Sequence, residues 1–100
     1  MAKSIPETMT AIAIAQPGGP KVLKPEIRPV PKPGPGEILV KVRAAGVNRP
    51  DVLQRKGAYP APAGASDLPG LEIAGEVAAC GEGVERWRPG DMVCALTPGG

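Results

Sequence analysis

The chain has no histidine and no phenylalanine, and Tyr59 and Trp87 are its only aromatic residues. The absence of histidine removes the commonest general base and the commonest metal ligand. Without phenylalanine, the core has to be built from Val, Ile, Leu, Ala and Met. Cysteine is nearly absent too: Cys80 and Cys94 stand fourteen residues apart with no histidine to join them, which matches no zinc signature. They could form one disulfide, but nothing marks the chain as secreted, and the reading adopted is two small buried hydrophobes. Charge of one sign does not accumulate. Twelve basic and ten acidic residues are interspersed, net +2, so no basic face for nucleic acid is present. No apolar run is long enough to span a bilayer, and the N-terminus has no h-region of a signal peptide. A cytoplasmic location and no membrane partner are expected.

Glycine and proline are plentiful instead, fourteen of each in 100 residues, without period or low complexity. That composition reads as many turns and short strands. A chain of this length buries roughly 60–70% of its unfolded surface, enough for one modest core. Residues 1–7 read as a flexible leader. Residues 8–16 alternate as a strand, with Ile12 and Ile14 on one face. A turn follows at 17–20, then an extended segment over 21–31 that Pro25 and Pro29 restrict to a sheet edge. The stiff turn "PKPGPGE" leads to the clearest strand, 37–47.

The next stretch, "GVNRPDVLQRKGAYP", predicts a helix over Arg49–Lys56. Asn48 is placed to cap it, Asp51 to reach back as in a capping box, Pro50 fits the first turn, and Gly57 is a natural stop. A thirteen-residue loop, 58–70, is stiffened by prolines; loops of this length are often functional. Residues 71–80 alternate, with Leu71, Ile73, Val77 and Ala79 inward. A turn-rich connection over 81–91 leads to a last strand at 91–98. Five or six short strands with one short helix predict a small barrel or open β-roll.

No complete active site is written in motifs. "GEGVER" has a G-x-G after a strand, but Arg86 stands where the third glycine belongs. Trp87-Arg88-Pro89 then follows where a helix must open to hold a pyrophosphate. No P-loop, nucleophile triad or metal cluster is present. Three residues stand out, each with two readings: Asn48 as helix cap or ligand contact, Tyr59 as loop packing or ligand contact, Glu72 as solvated strand residue or functional carboxylate.

Taken together, "AAGVNRPDVLQRKGAYPAPAGASDLPGLEIAGEV", with "PGPGEILVKVRAAGVN" and "WRPGDMVCAL" on either side, resembles the medium-chain dehydrogenase/reductase superfamily. Within it, the similarity is to the zeta-crystallin-like quinone oxidoreductases, in the tumour-suppressor-inducible subgroup. The resemblance implies a mainly β, GroES-like catalytic domain over 8–100, truncated, with the family's Rossmann domain lying outside this chain. Ending at Gly99-Gly100 in a turn after a strand fits a longer protein. The zinc-dependent branch carries Cys where this chain has Asn48, and Gly-His-Glu where it has Gly70-Leu71-Glu72. Since a catalytic zinc needs about three protein ligands, the resemblance implies the zinc-free branch. It further implies NADPH or NADH as hydride source, a quinone as acceptor, and a homodimer at full length. Asn48 would orient cofactor or substrate and Tyr59 would bind the quinone; Glu72 would support local structure. The 100 residues alone are expected to be inactive. The alternatives are a stand-alone GroES-like protein-binding module and an enoyl-thioester reductase of the same superfamily.

Overall fold

The computed structural model describes residues 5–58, 60–61 and 63–99. The architecture is mainly β with one helix, as the sequence predicts. The order is β1 (Thr8–Ile14), a single 3-10 turn (Pro20–Val22), β2 (Leu23–Pro29), β3 (Ile38–Ala45), α1 (Arg49–Lys56), β4 (Glu72–Cys80) and β5 (Met92–Leu96). The strands form two antiparallel sheets, a β1–β2 hairpin and a three-stranded sheet ordered β3–β4–β5. Two register shifts interrupt the β3–β4 ladder, skipping Ala78 on β4 and Arg43 on β3. Such bulges increase strand twist, which curls the sheet toward the expected roll.

The core is thin. Among the described residues only Leu68 and Val77 are buried hydrophobics. Val77 is 1% exposed and sits on the central strand, its N–H bonded to the Asp91 carbonyl at 2.8 Å and its carbonyl to the Gly90 N–H at 2.8 Å. Gly75, also buried, is required by the same sheet: a methyl group there would run into the Lys41 carbonyl of β3. The accessible surface is 7247 Å², against about 5,300 Å² for a compact monomer of this mass. The molecule is correspondingly long, 43 × 22 × 22 Å.

The structure sharpens one sequence expectation and changes two. First, the alternation of β1 holds, and the better covered face is the one opposite Ile12. Met9, Ala11 and Ala13 are half-buried, whereas Ile12 is exposed and only Ile14 is partly covered. The register explains this. Met9 pairs with Arg28, which turns its guanidinium toward the 58–70 loop, while Thr10–Ile27 and Ile12–Pro25 share the opposite, outward face. Second, Pro20–Val22, split between turn and extended segment in the sequence reading, is a 3-10 turn. It closes on a Val22 N–H to Gly19 carbonyl bond of 3.1 Å. Third, the cysteines are not both buried. Cys94 is exposed on the edge strand β5, and Cys80 is half-buried with its thiol directed at the Trp87 carbonyl at 3.4 Å. Cys94 pairs with Ala74, six residues along β4 from Cys80. That is about 20 Å at strand rise, beyond disulfide reach. Of residues 1–7, read as a leader, 1–4 lie outside the described residues, and the Glu7 carbonyl accepts the Val30 N–H at 2.9 Å.

Val77→Ala removes two buried carbons and is expected to lower stability by about 2 kcal/mol. Gly75→Ala should cost more, because backbone rather than a side chain has to move. Urea unfolding midpoints of the two variants measure the order.

Candidate functional site

Helix α1 forms where its local signals coincide. Asn48 holds the N-cap position in extended conformation, Pro50 lies in the first turn, and Gly57 ends the helix at φ 86°, the left-handed conformation glycine adopts without penalty. The Gly57 and Ala58 N–H groups donate to the Gln54 and Leu53 carbonyls at 3.0 and 2.8 Å, which satisfies the last turn. At the other end, Asn48 and Asp51 are arranged as a capping box. Its well-formed bond is the returning one: the Asn48 N–H donates to Asp51 Oδ2 at 2.9 Å. The Asp51 N–H donates to the Asn48 backbone carbonyl at 3.0 Å. The Asn48 side-chain oxygen faces the Asp51 N–H across the box without closing a bond of full hydrogen-bond geometry. The residue is half-buried, and its side-chain NH₂ group has donors to offer a ligand.

The second oxygen of Asp51 reaches out of the helix. Oδ1 accepts the Gly70 N–H at 3.0 Å. This brings Asn48 to the entry of β4, the Gly70-Leu71-Glu72 stretch. That entry is held from its other side as well: the Thr97 N–H donates to the Leu71 carbonyl at 2.8 Å and the Thr97 hydroxyl to the Gly70 carbonyl at 3.5 Å. Glu72 is exposed, and its carbonyl accepts the Gly46 N–H at 3.3 Å. Its carboxylate lies over Gly46 so closely that any side chain at that position would collide with it. A side chain at 46 would have to displace the exposed Glu72 side chain from this place.

Beside this corner lies an open, apolar trough of about 400 Å³ lined by residues 44, 46, 72–74 and 94–96. Asn48 follows Gly46 by two residues but does not line the trough. Tyr59, the second residue singled out from the sequence, lies outside the described residues. Among the described residues no group of three or more His, Cys, Asp or Glu side chains could hold a metal ion. Two residues that matter to the corner went unread in the sequence. Asp67 forms a forked pair with Arg28 of β2, at 2.6 and 3.3 Å, and its carbonyl accepts the Gln54 amide of α1 at 3.0 Å. Arg28 pairs with Glu26 as well, at 2.6 Å. An isolated aspartate in a loop carries no signal of a partner thirty-nine residues away.

The Arg28 guanidinium, through its hydrogen bonds, holds the Asp67 carboxyl below the usual carboxylate range, and Arg28 is itself raised by Asp67 first and Glu26 second. A depressed carboxylate contributes stability above its unfolded value near 4 and loses it as the pH falls through the folded value. Wild type should therefore exceed Asp67→Asn in melting temperature at pH 7 by a margin that shrinks toward pH 3. Added salt should shrink it at neutral pH as well, because the pair is exposed. A pH series of thermal melts for both proteins checks the sign.

Residues 34–99 match the family model described as the alcohol dehydrogenase GroES-like domain. A quinone oxidoreductase of Pseudomonas aeruginosa is 45% identical over 86 residues, covering 86% of this chain and 26% of that protein. An alcohol dehydrogenase of Rhizobium meliloti is 42% identical over 86 residues, covering 86% of this chain and 25% of that one. Among solved structures, a mycobacterial protein complexed with NADPH superposes with a TM-score of 0.77 at 39% identity, covering 89% of this chain and 28% of its own. The chain thus spans about a quarter of the length of the curated relatives it matches.

Proposed function

The chain belongs to the alcohol dehydrogenase GroES-like domain family, and from that premise we propose that it is the substrate-side part of a zinc-free NAD(P)H-dependent quinone oxidoreductase. The observation that carries the reading is the state of Asn48. The zinc branch places a metal-binding cysteine at this position, and here a half-buried carboxamide stands at the N-cap of α1, its oxygen turned toward the Asp51 N–H and its NH₂ group left to donate. Leu71 stands where that branch has its histidine, and these 100 residues hold no histidine. The side chains present therefore favour recognition by hydrogen bonding over metal ligation.

A nicotinamide cofactor, when bound, supplies the hydride. The residues of this chain fit a contact with such a group rather than its whole binding site. Asn48 offers an amide at the N-cap of α1, while among the described residues no glycine-rich strand–turn–helix is present to hold a pyrophosphate. The part assigned to Asn48 is to orient ribose or substrate carbonyl. Tyr59 follows the helix and its glycine stop in sequence, and its part is to bind the acceptor, with an apolar ring for a flat quinone and a hydroxyl for its oxygen. A conjugated carbonyl suits a site without a Lewis acid, because the arriving charge spreads over the acceptor. Quinone oxidoreductase relatives and the NADPH-bound neighbour support this reading. An alcohol dehydrogenase relative of similar identity makes alcohol the competing substrate class.

The test is an assay of the complete gene product with NADPH and a quinone, and with an alcohol and NAD(P)⁺, each with and without a zinc chelator. Quinone reduction indifferent to the chelator is expected; alcohol oxidation abolished by it would replace the proposal. The 100-residue chain by itself should oxidise no NADPH in the presence of quinone. In the complete protein, Tyr59→Phe is expected to raise the quinone KM about fivefold, the worth of one hydrogen bond of about 1 kcal/mol, with NADPH affinity unchanged. Steady-state kinetics in both substrates separate the two effects.

A further inference from the structure

Asp51 does more than cap a helix. A capping-box carboxylate needs one oxygen for the N-cap N–H. Here the other oxygen leaves the helix and takes the N–H of Gly70, nineteen residues on. Both bonds are charge-assisted, from backbone donors at 2.9 and 3.0 Å. One half-buried carboxylate thus fastens the N-cap of α1 to the start of β4. Gly70 is in turn bound to Thr97, and Glu72 to Gly46, by the bonds described above, so its position is not free to follow the helix. What ties the Asn48 backbone to β4, and with it the direction of the amide, is the bond of its N–H to Asp51.

We propose that Asp51 is the positioning residue of the site: by bridging the Asn48 and Gly70 N–H groups it sets the placement of the Asn48 amide at the ligand edge. The inference rests on the assignment of Asn48 to ligand contact made above. Asp51→Asn is the sharpest probe. It keeps the shape of the side chain but turns an NH₂ donor toward one of the two N–H groups, so one bond is replaced by a clash of donors.

In the complete gene product, steady-state quinone reduction at saturating NADPH is measured for wild type, Asn48→Ala, Asp51→Asn and the double variant, with melting temperatures alongside. Asp51→Asn is expected to lower kcat/KM about tenfold, mostly in kcat, while the protein remains folded at assay temperature. In the double variant it should add little to Asn48→Ala, because its effect passes through that amide. Costs that multiply would overturn the proposal, since a general structural loss is indifferent to what stands at 48. Should Asp51→Asn not fold, hydrogen exchange of the wild type decides: the Asn48 and Gly70 amides are expected to be protected together, and rapid exchange at either rules the bridge out. If the wild type reduces no quinone, the functional reading fails by itself. The bridge is then judged by the Asn48 side-chain NH₂ resonances, which Asp51→Asn should move and which would stay in place if Asp51 did not position them.

Discussion

A thin core leaves this fold dependent on one segment, residues 65–71, where hairpin, helix and sheet are joined. Leu68, one of two buried hydrophobics among the described residues, sits in its middle. Around it three elements are tied by polar bonds: β2 through Arg28 to Asp67, α1 through Gln54 to the Asp67 carbonyl and through Asp51 to Gly70, and the end of β5 through the following Thr97 to Gly70 and Leu71. A second tie joins hairpin and helix, with the Gly18 N–H donating to the Arg55 carbonyl and the Arg55 side chain donating back to the Gly18 carbonyl. Direct contact between the hairpin and the three-stranded sheet is sparse. Exposed ion pairs contribute little each, so the arrangement relies on their number and on the backbone bonds among them. Leu96 and Val47, each 85% exposed, and the outward Ile12 and Ile27 show how much apolar surface the chain leaves uncovered.

The same segment links architecture to chemistry. The long proline loop ends in it, and β4 begins from it. Its glycine, Gly70, shares a carboxylate with the N-cap of the only described helix. Stability and site geometry therefore draw on the same hydrogen bonds. In the proposed reaction no metal anchors the corner, so placement of an uncharged amide has to come from the backbone. A backbone pinned from two sides by one carboxylate meets that requirement, and preorganised dipoles do more for a reacting carbonyl than mobile ones.

The helix was legible to the residue, because everything that defines it is local: a capping asparagine, a proline in the first turn, a return carboxylate and a glycine stop within ten positions. The strands were legible from alternation, and their ends only to within a residue or two, since hydrogen bonding to a neighbour decides where a strand stops. Which face of β1 is covered was not legible: alternation puts Ile12 and Ile14 on one side without saying which side faces in, and the hairpin covers the Met9–Arg28 side, where Arg28 meets Asp67. The cysteines were misread for a related cause: an edge strand with no covering layer leaves Cys94 in solvent whatever its hydropathy.

Local patterns in the chain were enough for the helix, for the strands to within a residue or two, for the main turns, and for the family, through spaced residues over most of the chain. Long-range packing settled that Asp51 uses both oxygens, that Asp67 and Arg28 meet, that Glu72 lies over Gly46, and which side of the hairpin faces solvent. The division has one physical origin. Capping, turn chemistry and alternation act over a few residues and leave a mark in their order. A carboxylate's second acceptor and a sheet's inward face depend on which distant segments the fold brings within three ångströms, and no short stretch of sequence carries that distance.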